Sequence, residues 1–159
     1  MKRIPLTKGQ YALVDDIDYQ DVSRFNWCIA KSGSRLYASR KRSRKFPGKR
    51  LTLYLHRHIM GEPVGLMVDH INHDTLDNRR ENLRVCTQTQ NLQNRSGAMG
   101  RSKTGLRGVC FDRARNKFLA QISVNGNRIN LGRFKTAEEA KAVYDYANRK
   151  HFGEFGGVL

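Results

Sequence analysis

Apolar and polar positions along this chain change places in short segments, and no long apolar run interrupts them. "QYALVD" (10–15) reads as a strand, "YQDVSRF" (19–25) as a short helix, and "NWCIA" (26–30) and "RLYASR" (35–40) as further strands. "LTLYLHRHIMG" (51–61) predicts a strand turning into a short helix that Gly61 and Pro63 end. "LMVDH" (66–70) and "LRVC" (83–86) are two more short strands, and Thr87 is placed to N-cap a helix running through Asn94. Strand, polar loop, strand and helix form a compact ββα unit. After "NRSGAMGRSKTG" (94–105), which has no apolar period, the last third predicts three short strands and a helix. Asn125-Gly126 is a two-residue hairpin turn, and Thr136 with Glu139 is a capping box opening the helix. Ala137, Ala140, Tyr144 and Ala147 line one helical face. Alternation turns Phe118, Ala120, Ile122 and Val124, with Ile129 and Leu131, toward that helix. Lys117, Leu119, Gln121 and Ser123, with Arg128 and Asn130, turn away from it. The expected fold class is α+β: a region over 1–94 with its ββα core near 66–95, a linker over 95–104, and a sheet-and-helix domain over 105–159.

Charge narrows the choice of partner. Thirty Lys and Arg against fourteen Asp and Glu give a net charge of +16, which no fold requires and which favours polyanions. Residues 1–94 carry 17 basic and 9 acidic side chains and residues 95–159 carry 13 and 5, so each part is +8. Nucleic acid is the first expectation, and a membrane partner is disfavoured because neither a long apolar run nor a continuous greasy helical face is seen. Residues 31–50 hold nine basic side chains and no acid, which reads as a loop tracking phosphates, with Arg40, Lys41 and Arg42 as candidate contacts. The start of the chain has no signal-peptide pattern, so the expected location is cytoplasmic, associated with the nucleoid of a bacterial or phage-infected cell. Cys28, Cys86 and Cys110 are isolated, which supports neither a zinc ribbon nor a disulfide framework.

The segment "VDHINHDTLDNRRENL" (68–83) is too polar to pack a core. Asp69 and His70 end its first strand, and neighbours on a strand face opposite ways, so the two can have separate jobs. Asn82 follows His70 by twelve residues and Asn91 follows Asn82 by nine. Arg79, Arg80 and Arg84 are candidates for phosphate contact, with Glu81 and Asp77 as alternative partners for Arg80. "DH" at 69–70, "DNRRENLR" at 77–84 and "QNLQN" at 90–94 together resemble the HNH nucleases, specifically the group found among phage and intron-associated homing endonucleases. The lead-in "IPLTKGQYALVDD…W…YLHR" is also similar to that group.

The resemblance implies roles that the chemistry supports. His70 would be the general base, since a near-neutral pKa suits taking a proton from water. Asp69 and Asn91 would hold one divalent cation, Mg²⁺ or Mn²⁺, through hard oxygens, and Asn82 would hydrogen-bond across the loop to aim His70. Products with a 5′-phosphate and a 3′-hydroxyl are what the family implies. Where members carry Gly after "HIN", this chain has His73, a residue that tolerates a left-handed turn. The "HR" pair at 56–57 recurs in the family's lead-in, and leaves His56 with a site-wall, phosphate-contact or packing role.

A basic, polar sheet face can enter a major groove, where Arg reads guanine and Asn or Gln reads adenine. "RGVCFD…FLAQI…LGRFKTAEEAKAVYDYA…FG", over about 105–153, resembles the plant ethylene-response-factor (APETALA-type) DNA-binding domain. That resemblance carries DNA contacts onto Arg107, Gln121, Ser123, Arg128 and Asn130. Cys110 and Asn130 stand where the plant domains usually have Arg and often Trp, so the plant target sequence is not implied. The preferred reading is a site-preferring endonuclease acting on double-stranded DNA, as a monomer or a transient dimer on it. Its rival is a non-catalytic DNA-binding regulator on an HNH scaffold. An RNA-binding module lacks a stacking sheet motif, and a structural-metal protein lacks paired Cys and His ligands.

Overall fold

The computed structural model describes residues 1–42, 51–94 and 102–156. The basic run over 43–50 and most of the expected linker, 95–101, lie outside the described residues. The chain divides into two units, Met1–Gln88 and Thr89–Leu159, ahead of the boundary expected at 94.

The first unit opens with a hairpin that sequence reading did not anticipate, β1 (Lys2–Pro5) antiparallel to β2 (Tyr11–Val14). Helix α1 (Asp16–Val22) starts earlier than expected, with Asp16 and Asp18 in its first turn, where negative charge complements the helix dipole. Strands β3 (Cys28–Ser32), β4 (Arg35–Lys41) and β5 (Thr52–Tyr54) form an antiparallel sheet in that order. Helix α2 (Leu55–Ile59) follows directly. Strands β6 (Met67–His70) and β7 (Leu83–Cys86) pair antiparallel, with Asp69 opposite Arg84 and His70 opposite Leu83. Ile4, Ala12, Val14, Val22, Trp27, Ala38, Leu55, Ile59, Val68 and Leu83 share one core, so the two strand pairs, the three-stranded sheet and both helices bury apolar side chains together. Trp27 also donates from Nε1 to the Val22 carbonyl at 2.8 Å, which satisfies its buried N–H.

That core holds the polar loop between β6 and β7 from outside. The Leu13 N–H donates to the Leu76 carbonyl and the Asn78 N–H donates to the Leu13 carbonyl, both at 2.8 Å. Thr75 donates its hydroxyl to the Leu36 carbonyl of β4. Arg80 forks onto Asp18 of α1 at 2.7 and 2.8 Å, and its backbone N–H reaches Asp15 at 2.8 Å. A loop with few apolar side chains is thus ordered by hydrogen bonds to the scaffold.

In the second unit, helix α3 (Gln88–Gln93) is closed by Arg107, which donates to the carbonyls of Gln93 at 2.7 Å and Leu92 at 3.3 Å. Such capping of the last carbonyls by Arg suits a helix C-terminus and accounts for α3 joining the second unit. Strands β8 (Val109–Asp112), β9 (Lys117–Val124) and β10 (Asn127–Phe134) form an antiparallel sheet with β9 in the centre. Helix α4 (Ala137–Phe152) begins with the complete Thr136–Glu139 capping box. Val109, Ala120 and Ala140, then Ile122, Tyr144 and Ala147, are buried between sheet and helix. Ile129 was expected in this core but is 37% exposed, because it lies on an outer strand. A register shift between Asn130 and Gly132 bulges β10, with the Gly132 N–H donating to Asn130 Oδ1 at 2.9 Å. Among the described residues no helix is long and apolar enough to cross a membrane.

Gly108 is the tightest contact in this unit. It has φ +74°, and a Cβ there would sit 2.0 Å from the Tyr144 ring. Gly108→Ala should cost roughly 2–5 kcal/mol, from left-handed strain and overpacking together. Gly33, at φ +61° with nothing within 4 Å of its added Cβ, provides the contrast: Gly33→Ala should cost about 1–2 kcal/mol. Urea unfolding of the full chain reads both, and equal losses would contradict the Gly108–Tyr144 packing.

Candidate active site

Alternation along β6 separates Asp69 from His70, as the period of a strand requires. Asp69 Oδ2 accepts from Arg84 Nε at 3.1 Å and Nη2 at 2.9 Å, and both side chains are buried. Arg84, expected among the phosphate contacts, is turned onto this carboxylate. Asp69 gains a fixed orientation from this cross-strand pair, since Arg can hold a carboxylate with several aligned N–H groups.

His70 is only 4% exposed and enters a different set of neighbours. Its ring lies 4.9 Å from that of His56 and 6.2 Å from that of Tyr37. His56 in turn stacks on Tyr54 at 5.6 Å and meets Tyr37 at 5.7 Å. Two imidazoles and two phenols from β4, β5, α2 and β6 thus form one cluster. Asn78, fully buried, points its Oδ1 at His70 Nε2 from 3.4 Å and donates its own Nδ2 to the Leu76 carbonyl at 3.0 Å. A carboxamide oxygen only accepts, so this contact favours the His70 tautomer with its proton on Nε2.

Asn82 ties the loop together. Its Oδ1 accepts from the Asn72 N–H at 2.9 Å, its Nδ2 donates to the Asp77 carbonyl at 2.7 Å, and its own carbonyl accepts from Ile71 at 2.9 Å. Asp77 is gripped by Arg79 through two 2.8 Å bonds and by Asn72 at 3.1 Å. Those bonds, the Arg79 pair first, hold the Asp77 carboxyl below its usual range. Arg79 also pairs with Glu81, and Arg80 pairs with Asp18 rather than with Glu81 or Asp77. His73 adopts φ 67°, the left-handed conformation expected at its turn, and its Nε2 is buried without a partner.

Arg40 stacks on Phe25 at 3.8 Å, Lys41 donates to Thr52 at 2.9 Å, and Arg42 pairs with Glu62 at 3.3 Å. His58 binds Asp21 at 2.8 Å and packs on Phe25 and Trp27, on a different side from His56. Asn91 is half-buried on α3. Gln121, Ser123, Arg128 and Asn130 share the sheet face turned from α4, with Arg128 opposite Ser123 and Asn130 opposite Gln121. Arg107 donates from its guanidinium to the Gln93 carbonyl and lines one pocket with Gln121, Ser123 and Arg128. Sequence reasoning missed Tyr37, Tyr54 and Asn78; Tyr54 gave a signal only through its nearness to His56 in "LYLH".

Asp69 contributes a hard carboxylate oxygen. That donor fits an ion such as Mg²⁺, which takes one or two carboxylates and keeps several waters. Among the described residues no group of three or more His, Cys, Asp or Glu could hold a metal, so a closed cage of zinc type has no counterpart there.

Burial also sets the protonation of the cluster. Desolvation, reinforced by His70 and Arg57, pushes His56 from 6.5 down to about 3. Desolvation lowers His70 too, against the opposing pull of Asn78, Asp69, Asp74 and Asp77. As pH falls below 6.5 the unfolded chain binds protons that the folded His56 refuses until about 3, so stability is full above that window and lost through it. The melting midpoint of the full chain should be steady above pH 7 and drop by several degrees on going to pH 5. A midpoint unchanged between those values would contradict the buried, neutral imidazoles.

A family model described as HNH endonuclease matches residues 53–93, which span β5 through α3. An uncharacterised HNH endonuclease of Acanthamoeba polyphaga mimivirus is 31% identical over 154 residues, covering 93% of this chain and 74% of that protein. No solved structure matches the chain. HNH nucleases generally use a divalent metal ion. With a relative of that identity and coverage, and with the matched segment built around Asp69, His70 and Asn82, this chain belongs to the HNH endonucleases, hydrolases that cleave DNA.

Proposed function

We propose that the protein is a metal-dependent endonuclease of homing type that nicks double-stranded DNA, with His70 as general base. The observation that carries this reading is the placement of His70, buried at the end of β6 with Asn78 at its Nε2. In this reading Nδ1 of His70 takes the proton of the attacking water. The water oxygen then bonds to phosphorus while the bond to the 3′-oxygen breaks, and the leaving oxygen gains a proton from solvent. A 5′-phosphate and a 3′-hydroxyl result. Asp69, oriented by Arg84, offers a ligand oxygen, and the sequence expectation assigns a second to Asn91. A bound Mg²⁺ or Mn²⁺ would stabilise charge on the scissile phosphate and the leaving oxygen. Asn82 keeps the loop closed so that His70 stays aimed.

The C-terminal unit supplies the second half of the proposal. Its outward sheet face, with Gln121, Ser123, Arg128 and Asn130, would contact the major groove in the manner of the ethylene-response-factor domains. The net charge of +16 supports a duplex partner for both units. A cutter and a reader on one chain raise each other's local concentration on DNA. One ββα unit gives one active site, hence a nick by a monomer; a double-strand break would need a transient dimer.

Nicking of supercoiled plasmid carrying the gene's own host locus, with and without Mg²⁺, tests the reading. Cleavage should require the metal, and His70→Ala should lower it on the order of 10²–10⁴-fold, the usual contribution of a general base. Duplex binding without cleavage by the wild-type protein would return the chain to the regulator reading.

A further inference from the structure

His56 holds a position that packing alone does not explain. It is 7% exposed, and its Nδ1 is buried without a hydrogen-bond partner. A polar nitrogen enclosed in this way costs free energy, and the cost is higher for a stranded N–H than for an unused lone pair. The cheaper tautomer leaves Nδ1 unprotonated and puts the proton on Nε2. Nε2 is not among the enclosed, unpartnered atoms, and among the described residues no hydrogen bond engages it. The ring therefore keeps one N–H donor that the protein does not fully enclose.

Its neighbours fix where that donor points. His56 is stacked on Tyr54 with 28° between the planes, and it meets His70 edge to face at 4.9 Å. Tyr37 closes another side at 5.7 Å. A ring held by three others has little freedom to reorient, which is the condition for a donor that acts on developing charge. Held neutral by burial, His56 can donate a hydrogen bond without surrendering a proton or competing with His70 as base. The geometry points to His56 as a second catalytic imidazole, whose Nε2–H donates to a non-bridging oxygen of the phosphate that the His70-activated water attacks. This assignment rests on the endonuclease reading and adds a substrate contact to it.

The test compares wild type, His56→Phe and His56→Gln in single-turnover nicking at saturating DNA, with duplex affinity and melting midpoint measured on each. Phe keeps the ring packing and removes the stranded nitrogen, so its midpoint should hold or rise. Its nicking rate should nonetheless fall on the order of 10²-fold, as when one donor to developing charge is lost, with duplex affinity unchanged. Gln restores an N–H donor near Nε2 and should recover part of the rate. A Phe variant that nicks at the wild-type rate overturns the assignment, as does a Gln variant that loses as much as Phe. Should the Phe variant fail to fold, His56→Leu takes its place under the same comparison with Gln. A wild-type protein that does not nick at all refutes the endonuclease reading itself, an outcome distinct from failure of the His56 assignment.

Discussion

Asn82 joins the two ends of the 71–81 loop through one side chain, accepting from the Asn72 N–H at 2.9 Å and donating to the Asp77 carbonyl at 2.7 Å. It is 5% exposed, and its bond to the Asp77 carbonyl is buried. The loop has too little apolar surface to fold by burial, and its order depends on the hydrogen bonds that its polar groups make. Asn82 closes it from within, while Leu13, Leu36 and Asp18 hold it from the scaffold. His70 begins this loop and Asn78 lies inside it, so the tautomer and aim of the proposed base follow from that closure.

Charge is divided in a way the net value of +16 conceals. The three arginines of the 68–84 segment are each tied to a carboxylate: Arg79 to Asp77, Arg80 to Asp18 and Arg84 to Asp69. These pairs shape the loop and orient Asp69. The excess positive charge that would attract a polyanion sits outside this segment. The imidazoles, in turn, are kept neutral by burial in a wall of aromatic rings. Neutral imidazole is the state in which histidine can take up a proton or donate a hydrogen bond without net charge.

Much of this was legible in the sequence where a local rule decides the outcome. Alternation located β6, β7 and β9, the Asn125-Gly126 turn and the Thr136 capping box fall where expected, and His73 takes the left-handed turn. Contacts between residues distant in the chain were not legible. Tyr37 reaches His70 only because β4 and the loop are bound through Thr75 and Leu36, and no local spacing encodes that. Arg84 reads as one more basic residue until pairing sets it opposite Asp69. Arg107 reads as a sheet residue, but the α3 carbonyls are within its reach and take its guanidinium. β1 escaped notice because four residues ending in Pro5 alternate too briefly to register.

The most direct measurement of this dependence is metal-supported plasmid nicking by Asn82→Ala alongside its unfolding free energy. The part-buried Asn72 N–H and the buried Asp77 carbonyl lose their partners, so stability should fall by roughly 1–3 kcal/mol while the protein remains folded. Nicking should fall nearly as far as in His70→Ala, because the base loses its aim. An Asn82→Ala protein that is folded and nicks at the wild-type rate would contradict the claim that loop closure positions the site.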